Sequence, residues 1–206
     1  MTARSWVQEV DWTKLPGRLI VLSGPSGSGK STLVQRLLER PGLRLEVSIS
    51  ATTRPPRAGE RSGRDYVFLS APEFENMRDQ LLESAEVHGH SYGTPAEPVR
   101  KALGQGTCVI LVIDVQGGIQ VREKVPSALL IFVRAPGLDV LEQRLRARGT
   151  DDEASIQRRL ANARRELELA KCYDVHLVND DLERSVDELA AILVENHCGG
   201  RIDHDR

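Results

Sequence analysis

The chain has 206 residues, of which 40% are hydrophobic, and its formal net charge at pH 7 is −2. This length predicts one domain, with or without inserted subdomains, that buries a sizeable core. The near-neutral charge argues against a general binder of nucleic acid or of anionic membranes, and the longest apolar run, residues 108–113, is too short to span a bilayer.

The N-terminal segment and the cysteines bear on localisation. Residues 1–17 contain no continuous apolar stretch and do not resemble a secretory signal. Cys108, Cys172 and Cys198 show no C-x-x-C spacing, which favours three free thiols in a reducing compartment over a metal or redox site. We therefore expect a cytoplasmic protein with no membrane partner.

The first half of the chain predicts strands and helices in alternation. Residues 1–17 form a polar leader that we expect to be loosely ordered. A buried strand follows at 18–23, then a helix from Lys30 with Leu33, Leu37 and Leu38 on one face, then a second strand at 43–50. The Pro-, Gly- and Arg-rich residues 51–64 predict a loop, residues 65–69 a strand, and Ser70 with Glu73 a capping box that begins a short helix.

The second half continues the alternation. The continuous apolar run within residues 106–115 is typical of a strand covered on both faces. Further strands are predicted at 128–133 and 174–178, helices at 138–148, 152–171 and 182–197, and a frayed tail at 198–206.

This pattern predicts an α/β fold with a mainly parallel sheet flanked by helices. The core comprises residues 18–50, 101–137 and 172–197. Residues 51–100 form an inserted α+β region, and residues 138–171 form a helical arm.

One glycine-rich loop carries the strongest chemical signal. Residues 24–31, GPSGSGKS, match G-x-x-x-x-G-K-[ST] between a predicted strand and a predicted helix. Such a P-loop turns backbone N–H groups toward phosphates at a helix N-terminus, with Lys30 reaching the β- and γ-phosphates and Ser31 holding Mg²⁺. The predicted ATP-binding residues of this loop are Gly24, Pro25, Ser26, Gly27, Ser28, Gly29, Lys30, Ser31 and Thr32.

The P-loop by itself fits a kinase, a GTPase, an ATP-driven motor or an inert scaffold. A dinucleotide-binding fold is disfavoured, because G-x-G-x-x-G is not satisfied. Arg54 and Arg57 lie in the loop after the second strand, where an arginine pair can clamp a second phosphate group. The alternative reading of the pair is a solvated basic loop.

Five segments, in the expected order, resemble guanylate kinases of the bacterial type, which are P-loop nucleoside monophosphate kinases. The resemblance runs from Leu19 to Val194. Its segments are SISATTRPPRAGERSGRDYVF (48–68), LLESAEVHGHSYGTP (81–95), VILVIDVQGG (109–118), RLRARGTDDEASIQRRL (144–160) and LVNDDL (177–182).

The resemblance implies a five-stranded parallel sheet, a GMP-binding subdomain at 51–100 and a mobile lid at 138–171. It implies that Arg148 and Arg159 close on the transferring phosphate, with Lys30 as the third catalytic residue, and that Asn179 contacts the adenine side. Around the GMP phosphate it places Ser50, Arg54, Arg57, Tyr66 and Tyr92. Around the guanine it places Glu83, Thr94 and Asp114.

Several of these residues also have plainer interpretations. Tyr66 could pack within its strand, Glu83 could be a surface charge, Arg148 could cap a helix C-terminus, and Asn179 could belong to an ordinary turn. Asp114 ends a buried strand, where a carboxylate is costly unless it is used. His88 and His90 resemble a metal pair, but no third ligand is evident.

The sequence departs from the family pattern at a few positions. Ser84 stands where tryptophan is common, and His90-Ser91 replaces the usual Asn-Tyr. Val112 stands where an acidic residue is frequent, which removes one carboxylate from the metal's surroundings.

The predicted reaction is ATP + GMP = ADP + GDP, with ATP and Mg²⁺ as cofactors and GMP and ATP as the small-molecule partners. The alternatives are a catalytically inactive guanylate-kinase-like interaction module, a kinase of a non-guanine phosphate compound, and a nucleic-acid binder using the arginines of 144–165. The retained Lys30, Arg148 and Arg159 count against the inactive module, and the interleaved acidic residues count against nucleic acid. The chain is expected to be a monomer or a homo-oligomer.

Overall fold

The computed structural model describes residues 6–87, 89–147, 149 and 152–198. Its strands, in chain order, are β1 (Leu19–Ser23), β2 (Leu45–Val47), β3 (Ala51–Thr52), β4 (Val67–Phe68), β5 (Leu81–Val87), β6 (His90–Pro95), β7 (Cys108–Val112), β8 (Leu129–Arg134) and β9 (Val175–Val178). Its α-helices are α1 (Lys30–Leu38), α2 (Ala71–Met77), α3 (Ala96–Gly104), α4 (Val115–Lys124), α5 (Leu138–Ala147), α6 (Glu153–Leu169) and α7 (Leu182–Leu193).

The central sheet has five strands in the order β2-β7-β1-β8-β9, and every neighbouring pair is parallel. The α/β prediction and the five-stranded parallel sheet are therefore confirmed. The carboxyl ends of β1, β7 and β9 lie at one edge of the sheet, so the residues that follow these strands are brought together there.

Both faces of the central sheet are covered, which explains its continuous apolar strands. Leu19 and Val21 of β1 belong to one buried cluster, which includes residues of α3 and α4. Ile20 and Leu22 belong to a second cluster, which includes residues of α1 and α7. Leu33 and Leu37 are buried there as predicted, whereas Leu38 is 47% exposed and does not share their face.

A second sheet, in the order β4-β3-β6-β5, is formed within residues 51–95. The β3–β4 pair is parallel, and the pairs that β6 makes with β3 and β5 are antiparallel. Helix α2 begins at the predicted capping box, where Ser70 and Glu73 bond to each other's backbone N–H groups. This sheet lies beyond the carboxyl end of β2.

Helices α5 and α6 pack on each other through Leu141, Leu145, Ile156 and Leu160, which form a separate buried cluster. In the described part of the chain, no helix has the length and apolar composition needed to cross a membrane.

The N-terminal segment is more ordered than expected. Within the described residues 6–17, Val7 and Trp12 are buried in the main core, and Trp12 Nε1 donates a 3.0 Å hydrogen bond to the Val7 carbonyl. The prediction of a loosely ordered leader is thus wrong for these residues, because two apolar side chains anchor an otherwise polar stretch. Of the predicted tail, the structure describes only Cys198, which is also buried.

Candidate active site

The glycine loop connects β1 to α1, and three of its residues adopt positive φ values. They are Gly24 at +142°, Gly27 at +93° and Gly29 at +92°. A Cβ atom on Gly24 would lie 2.0 Å from the Val133 carbonyl oxygen, and one on Gly29 would lie 2.3 Å from Asn179 Nδ2. The loop therefore needs bare backbone both for its conformation and for its close approach to neighbouring strands.

Lys30 is the first residue of α1, and its ammonium group folds back over the loop. Nζ donates hydrogen bonds to the carbonyl oxygens of Gly24 (2.5 Å) and Pro25 (3.1 Å). The ammonium and the helix N-terminus thus direct positive potential to the same place, which suits an anion such as a phosphate chain.

Asn179, which follows β9, is hydrogen-bonded to the backbone of the glycine loop. Its buried amide Nδ2 donates a 2.8 Å hydrogen bond to the Ser28 carbonyl, and its backbone N–H donates to the Arg134 carbonyl. Arg144 of α5 donates to the Asn179 carbonyl at 2.9 Å. Beside these residues lies an open cavity of about 400 Å³, lined by Gly27, Gly29, Thr32, Arg144, Ala147, Asn179, Asp180 and Leu182.

Glu83 of β5 is a buried carboxylate, only 4% exposed. Its Oε1 accepts a 2.6 Å hydrogen bond from the Thr94 hydroxyl of β6. Burial raises the pKa of Glu83 to about 7; the Asp114 charge acts in the same direction, and the Thr94 hydrogen bond and the Lys124 charge oppose it. The interpretation of Glu83 as a surface charge is wrong, because strand pairing holds its side chain inside the protein.

Asp114 follows β7 and caps α4. Its Oδ1 accepts a 2.7 Å hydrogen bond from the Gly117 N–H, and the residue is exposed. Asp114 follows a buried strand, as the sequence indicated, but its side chain turns outward to the N-terminus of α4 and its carboxylate is not buried with the strand. Glu83 lies close by, since a Cβ on Gly117 would be 2.9 Å from its Oε2.

A basic and aromatic group forms at the start of the second sheet. The Arg54 side chain, 10% exposed, pairs with Glu60 at 2.9 Å, and its guanidinium carbon lies 5.5 Å from the Tyr66 ring centroid. The rings of Tyr66 and Tyr92 meet edge to face at 6.0 Å, and the Tyr92 hydroxyl is within hydrogen-bonding reach of Arg54. Arg57 is exposed; its backbone N–H donates to Glu60, and its side-chain charge also acts on Glu60 and Tyr66.

The P-loop and the second sheet share a cavity of about 390 Å³. Its walls include Ser31 of α1 together with Ser50 and Tyr66. Val112, at the end of β7, also contributes to the wall. Ser31, the last residue of the glycine motif, thus lines the same cavity as Ser50 and Tyr66.

The helical arm reaches the P-loop through Arg159. This residue of α6 donates a 2.5 Å hydrogen bond from Nη1 to the Ser26 hydroxyl. Arg148 lies outside the described residues.

A further cavity of about 450 Å³ separates α6 from β5 and the start of α4; its walls include Ser84, Asp114, Arg165 and Glu166.

Comparisons with known proteins agree with this geometry. The family model described as guanylate kinase matches residues 16–196. A guanylate kinase from Gloeobacter violaceus is 54% identical over 86% of this chain and 87% of its own length, and one from Rhodococcus jostii is 48% identical over 94% and 95%. The crystal structure of guanylate kinase from Anaplasma phagocytophilum superposes with a TM-score of 0.71 and 32% identity, covering 89% of this chain and 88% of that one.

The chain belongs to the guanylate kinase family. It is accordingly an enzyme of the nucleoside monophosphate kinase type, as the resemblance implied.

Several residues at this guanylate kinase site were not singled out from the sequence. Gln120 of α4 exchanges two hydrogen bonds with the backbone of Ser84, at 3.1 and 3.0 Å. Lys124 donates to the Leu81 carbonyl at 2.9 Å and opposes the pKa rise of Glu83. The one available signal was the Gly117-Gly118 pair, because paired glycines after a strand indicate close packing rather than a plain helix.

Glu166 of α6 was also missed. Burial raises the pKa of its carboxyl group, and the charges of Lys30 and Asp114 act on it in opposite directions. Within the described part of the chain, its buried Oε2 has no hydrogen-bond partner. The residue therefore lies close enough to the P-loop lysine for the two charges to interact.

The P-loop fits a Mg²⁺ ion bound together with phosphates. Ser31 is exposed at the N-terminus of α1 and lines the shared cavity, which places a hydroxyl oxygen where the motif requires one. No group of three or more His, Cys, Asp or Glu side chains suited to a metal occurs in the described residues. The ion's other ligands would therefore come from phosphates and water, as is usual for Mg²⁺.

Proposed function

We propose that this chain transfers the γ-phosphoryl group of ATP to GMP, yielding ADP and GDP. The observation that carries the proposal is the buried Glu83 carboxylate, held by Thr94 and lying next to Gly117 at the start of α4. Guanine offers N1–H and N2–H₂ as adjacent donors, and an ionised carboxylate accepts both. Adenine has an acceptor at N1 and would face this carboxylate with a lone pair.

ATP binds at the P-loop in this proposal. The loop N–H groups and Lys30 hold the phosphates, Ser31 holds Mg²⁺, and the base lies in the cavity beside Asn179. Mg²⁺ neutralises charge on the β- and γ-phosphates when it is bound. Lys30 must release the carbonyl oxygens of Gly24 and Pro25 to reach those phosphates.

GMP binds between the P-loop and the second sheet. Ser50, Arg54, Arg57, Tyr66 and Tyr92 take the phosphate, and Glu83, Thr94 and Asp114 take the base. The 2.9 Å ion pair between Arg54 and Glu60 supports this, because it holds the guanidinium fork in place before substrate arrives.

Catalysis then depends on positioning and on charge. The GMP phosphate attacks the γ-phosphorus, so no protein nucleophile is needed, and Lys30, Arg148 and Arg159 stabilise the transferring group. We assign the lid to residues 138–171 and the GMP-binding region to 51–100. Closure of the two regions over the core would exclude water from the reaction.

We further propose that the enzyme works in the cytoplasm, as a monomer or homo-oligomer, with no nucleic-acid or membrane partner. The near-neutral charge and the two small-molecule cavities support this assignment.

A coupled ADP-release assay with GMP, AMP, CMP and dTMP tests the proposal. We expect GMP to be preferred over AMP by roughly 10⁴-fold in kcat/KM, because sites that hydrogen-bond a substrate group reject analogues lacking it. Equal use of GMP and AMP would contradict base recognition by Glu83. No turnover with any of the four, from a chain that still binds ATP, would instead indicate an inactive interaction module.

A further inference from the structure

Cys108 and Cys198 are brought together at the edge of the central sheet opposite the P-loop. Cys108 begins β7, and Cys198 follows α7. Both are 1% exposed and belong to the same buried cluster. The backbone of Arg44 joins them, because its carbonyl accepts from Cys108 N–H at 2.8 Å and its N–H donates to the Cys198 carbonyl at 3.2 Å.

A strained turn directs Cys198 into this position. Helix α7 ends at Leu193, the Asn196 amide donates to the Ile192 carbonyl at 2.8 Å, and His197 adopts φ +66°. His197 is the one residue other than glycine with positive φ in the described part of the chain. A left-handed non-glycine residue is costly, so the surrounding contacts must hold the turn in place.

The two thiols are within hydrogen-bonding reach of each other. This contact lowers the pKa of Cys108 and raises that of Cys198, and the positive charges of Arg18 and Arg44 help to lower the former. A cavity of about 260 Å³ reaches His197, the residue before Cys198, and Arg18 also lines it, but neither thiol is among its lining residues. The pair thus combines thiolate character at Cys108 with a cavity that begins one residue from Cys198.

We infer that Cys108 and Cys198 form a redox-sensitive pair, and that their disulfide clamps the C-terminal segment onto β7. This proposal is independent of the kinase activity. With a small-molecule disulfide as oxidant, the Cys108 thiolate attacks one sulfur and one reagent thiol leaves. The Cys198 thiolate then attacks the Cys108 sulfur of the mixed disulfide, and the second reagent thiol leaves. Two protein thiols are oxidised, one reagent disulfide is reduced to two thiols, and the two thiol protons pass to those products.

The test uses the full chain carrying Cys172→Ser, which removes the exposed thiol. The protein is incubated with oxidised glutathione, digested without reduction, and analysed by mass spectrometry and thermal unfolding. We expect one peptide pair joined through Cys108 and Cys198, two hydrogens lighter than the free peptides. The Tm should rise by at least about 5 °C, because the crosslink closes a long loop, and dithiothreitol should reverse the rise.

The matched control adds Cys198→Ser, which should give neither the joined peptides nor the Tm rise. Because the pair lies far from the P-loop, turnover of the oxidised chain should stay within about twofold of the reduced chain. Free thiols or glutathione adducts in place of the joined peptides would overturn the proposal, and so would a crosslink that leaves the Tm unchanged.

Discussion

The Thr94 hydroxyl donates a 2.6 Å hydrogen bond to Glu83 Oε1, and both side chains are buried. The hydroxyl orients the carboxylate and occupies one of its oxygens. It also opposes the rise that burial imposes on the pKa of Glu83. A carboxylate that titrates near neutral pH can be protonated or ionised by modest changes in its surroundings.

The first prediction concerns pH. The pKa of Glu83 is about 7 in the folded chain against an ordinary value of 4.5 for a glutamate carboxyl group, so the folded state binds more protons between these values. The contribution of Glu83 to the free energy of unfolding should therefore fall as pH rises from about 4.5 to about 7, and be constant above. Glu83→Gln should remove this slope, which urea unfolding at several pH values measures.

GMP binding should show the opposite trend, because only the ionised Glu83 accepts both guanine donors. The affinity of the natural chain for GMP should increase as pH rises through about 7, beyond the change shown by Glu83→Gln. Calorimetric titration of both proteins checks this. If the GMP affinities of the two proteins changed with pH in the same way, Glu83 would not be the group that binds guanine.

The second prediction separates two neighbouring glycines. Gly117→Ala would place a Cβ 2.9 Å from Glu83 Oε2, and Gly118→Ala would place one 2.0 Å from the Tyr173 hydroxyl. We expect the first to raise KM for GMP with little change for ATP, since its closest contact is with the Glu83 carboxylate. The second should mainly lower the Tm, since Tyr173 is buried in the core. Identical effects of the two substitutions would contradict this division.

The third prediction concerns Asn179. Replacement by alanine leaves the buried Ser28 carbonyl without its 2.8 Å donor, which should cost about 1–3 kcal/mol of stability and weaken ATP binding. Asn179→Asp preserves the shape but sets a carboxylate against a carbonyl oxygen, so it should be no better than alanine. Unfolding curves and KM for ATP provide the measurement. An Asn179→Asp substitution that changes neither the stability nor KM for ATP would show that the hydrogen bond is unimportant.

The fourth prediction concerns Lys30. Lys30→Met should lower kcat at least about 100-fold, because it removes stabilisation of charge on the transferring phosphate. Circular dichroism should show an unchanged fold, since the two described hydrogen bonds of the lysine go to carbonyls of its own loop rather than to the core. Retention of natural turnover would refute the P-loop assignment.

The fifth prediction concerns the lid arginines. Arg159→Ala and Arg148→Ala should each lower kcat strongly with less effect on GMP binding, because these groups act after closure. Arg159→Lys keeps the charge but loses the guanidinium fork that reaches Ser26. Its kcat should therefore lie between those of the natural chain and Arg159→Ala. A change confined to the GMP dissociation constant would place the arginines in the substrate pocket instead.

The P-loop was predictable because its signal is local: three glycines and Lys30 lie within one short stretch, between an apolar strand and an amphipathic helix. The strands of the central sheet were predictable for the same reason, because each is a short stretch of the sequence rich in apolar residues. Glu83 came only from the family resemblance, since its burial depends on pairing with β6 rather than on its neighbours in sequence.

Other features depend on contacts between distant residues. The burial of Val7 and Trp12 joins an N-terminal stretch to a core assembled later in the chain. Helix α4 was not predicted, because Gly117 and Gly118 lower helix propensity; the Asp114 cap and the packing of Val115 and Val121 outweigh this cost. The pairing of Arg54 with Glu60 likewise follows from a turn whose shape the sequence does not specify.

The position of β1 has a consequence for synthesis on the ribosome. The strand that leads into the P-loop pairs with β7 and β8, through Leu19↔Val109 and Ile20↔Leu129, so its partners follow it by 109 − 19 = 90 and 129 − 20 = 109 residues. A nascent chain that has emerged only as far as α3 has both edges of β1 unpaired. The glycine loop of such a chain has no sheet behind it. In the proposed binding mode, ATP therefore cannot stabilise the early intermediate and can act only after β8 has left the exit tunnel.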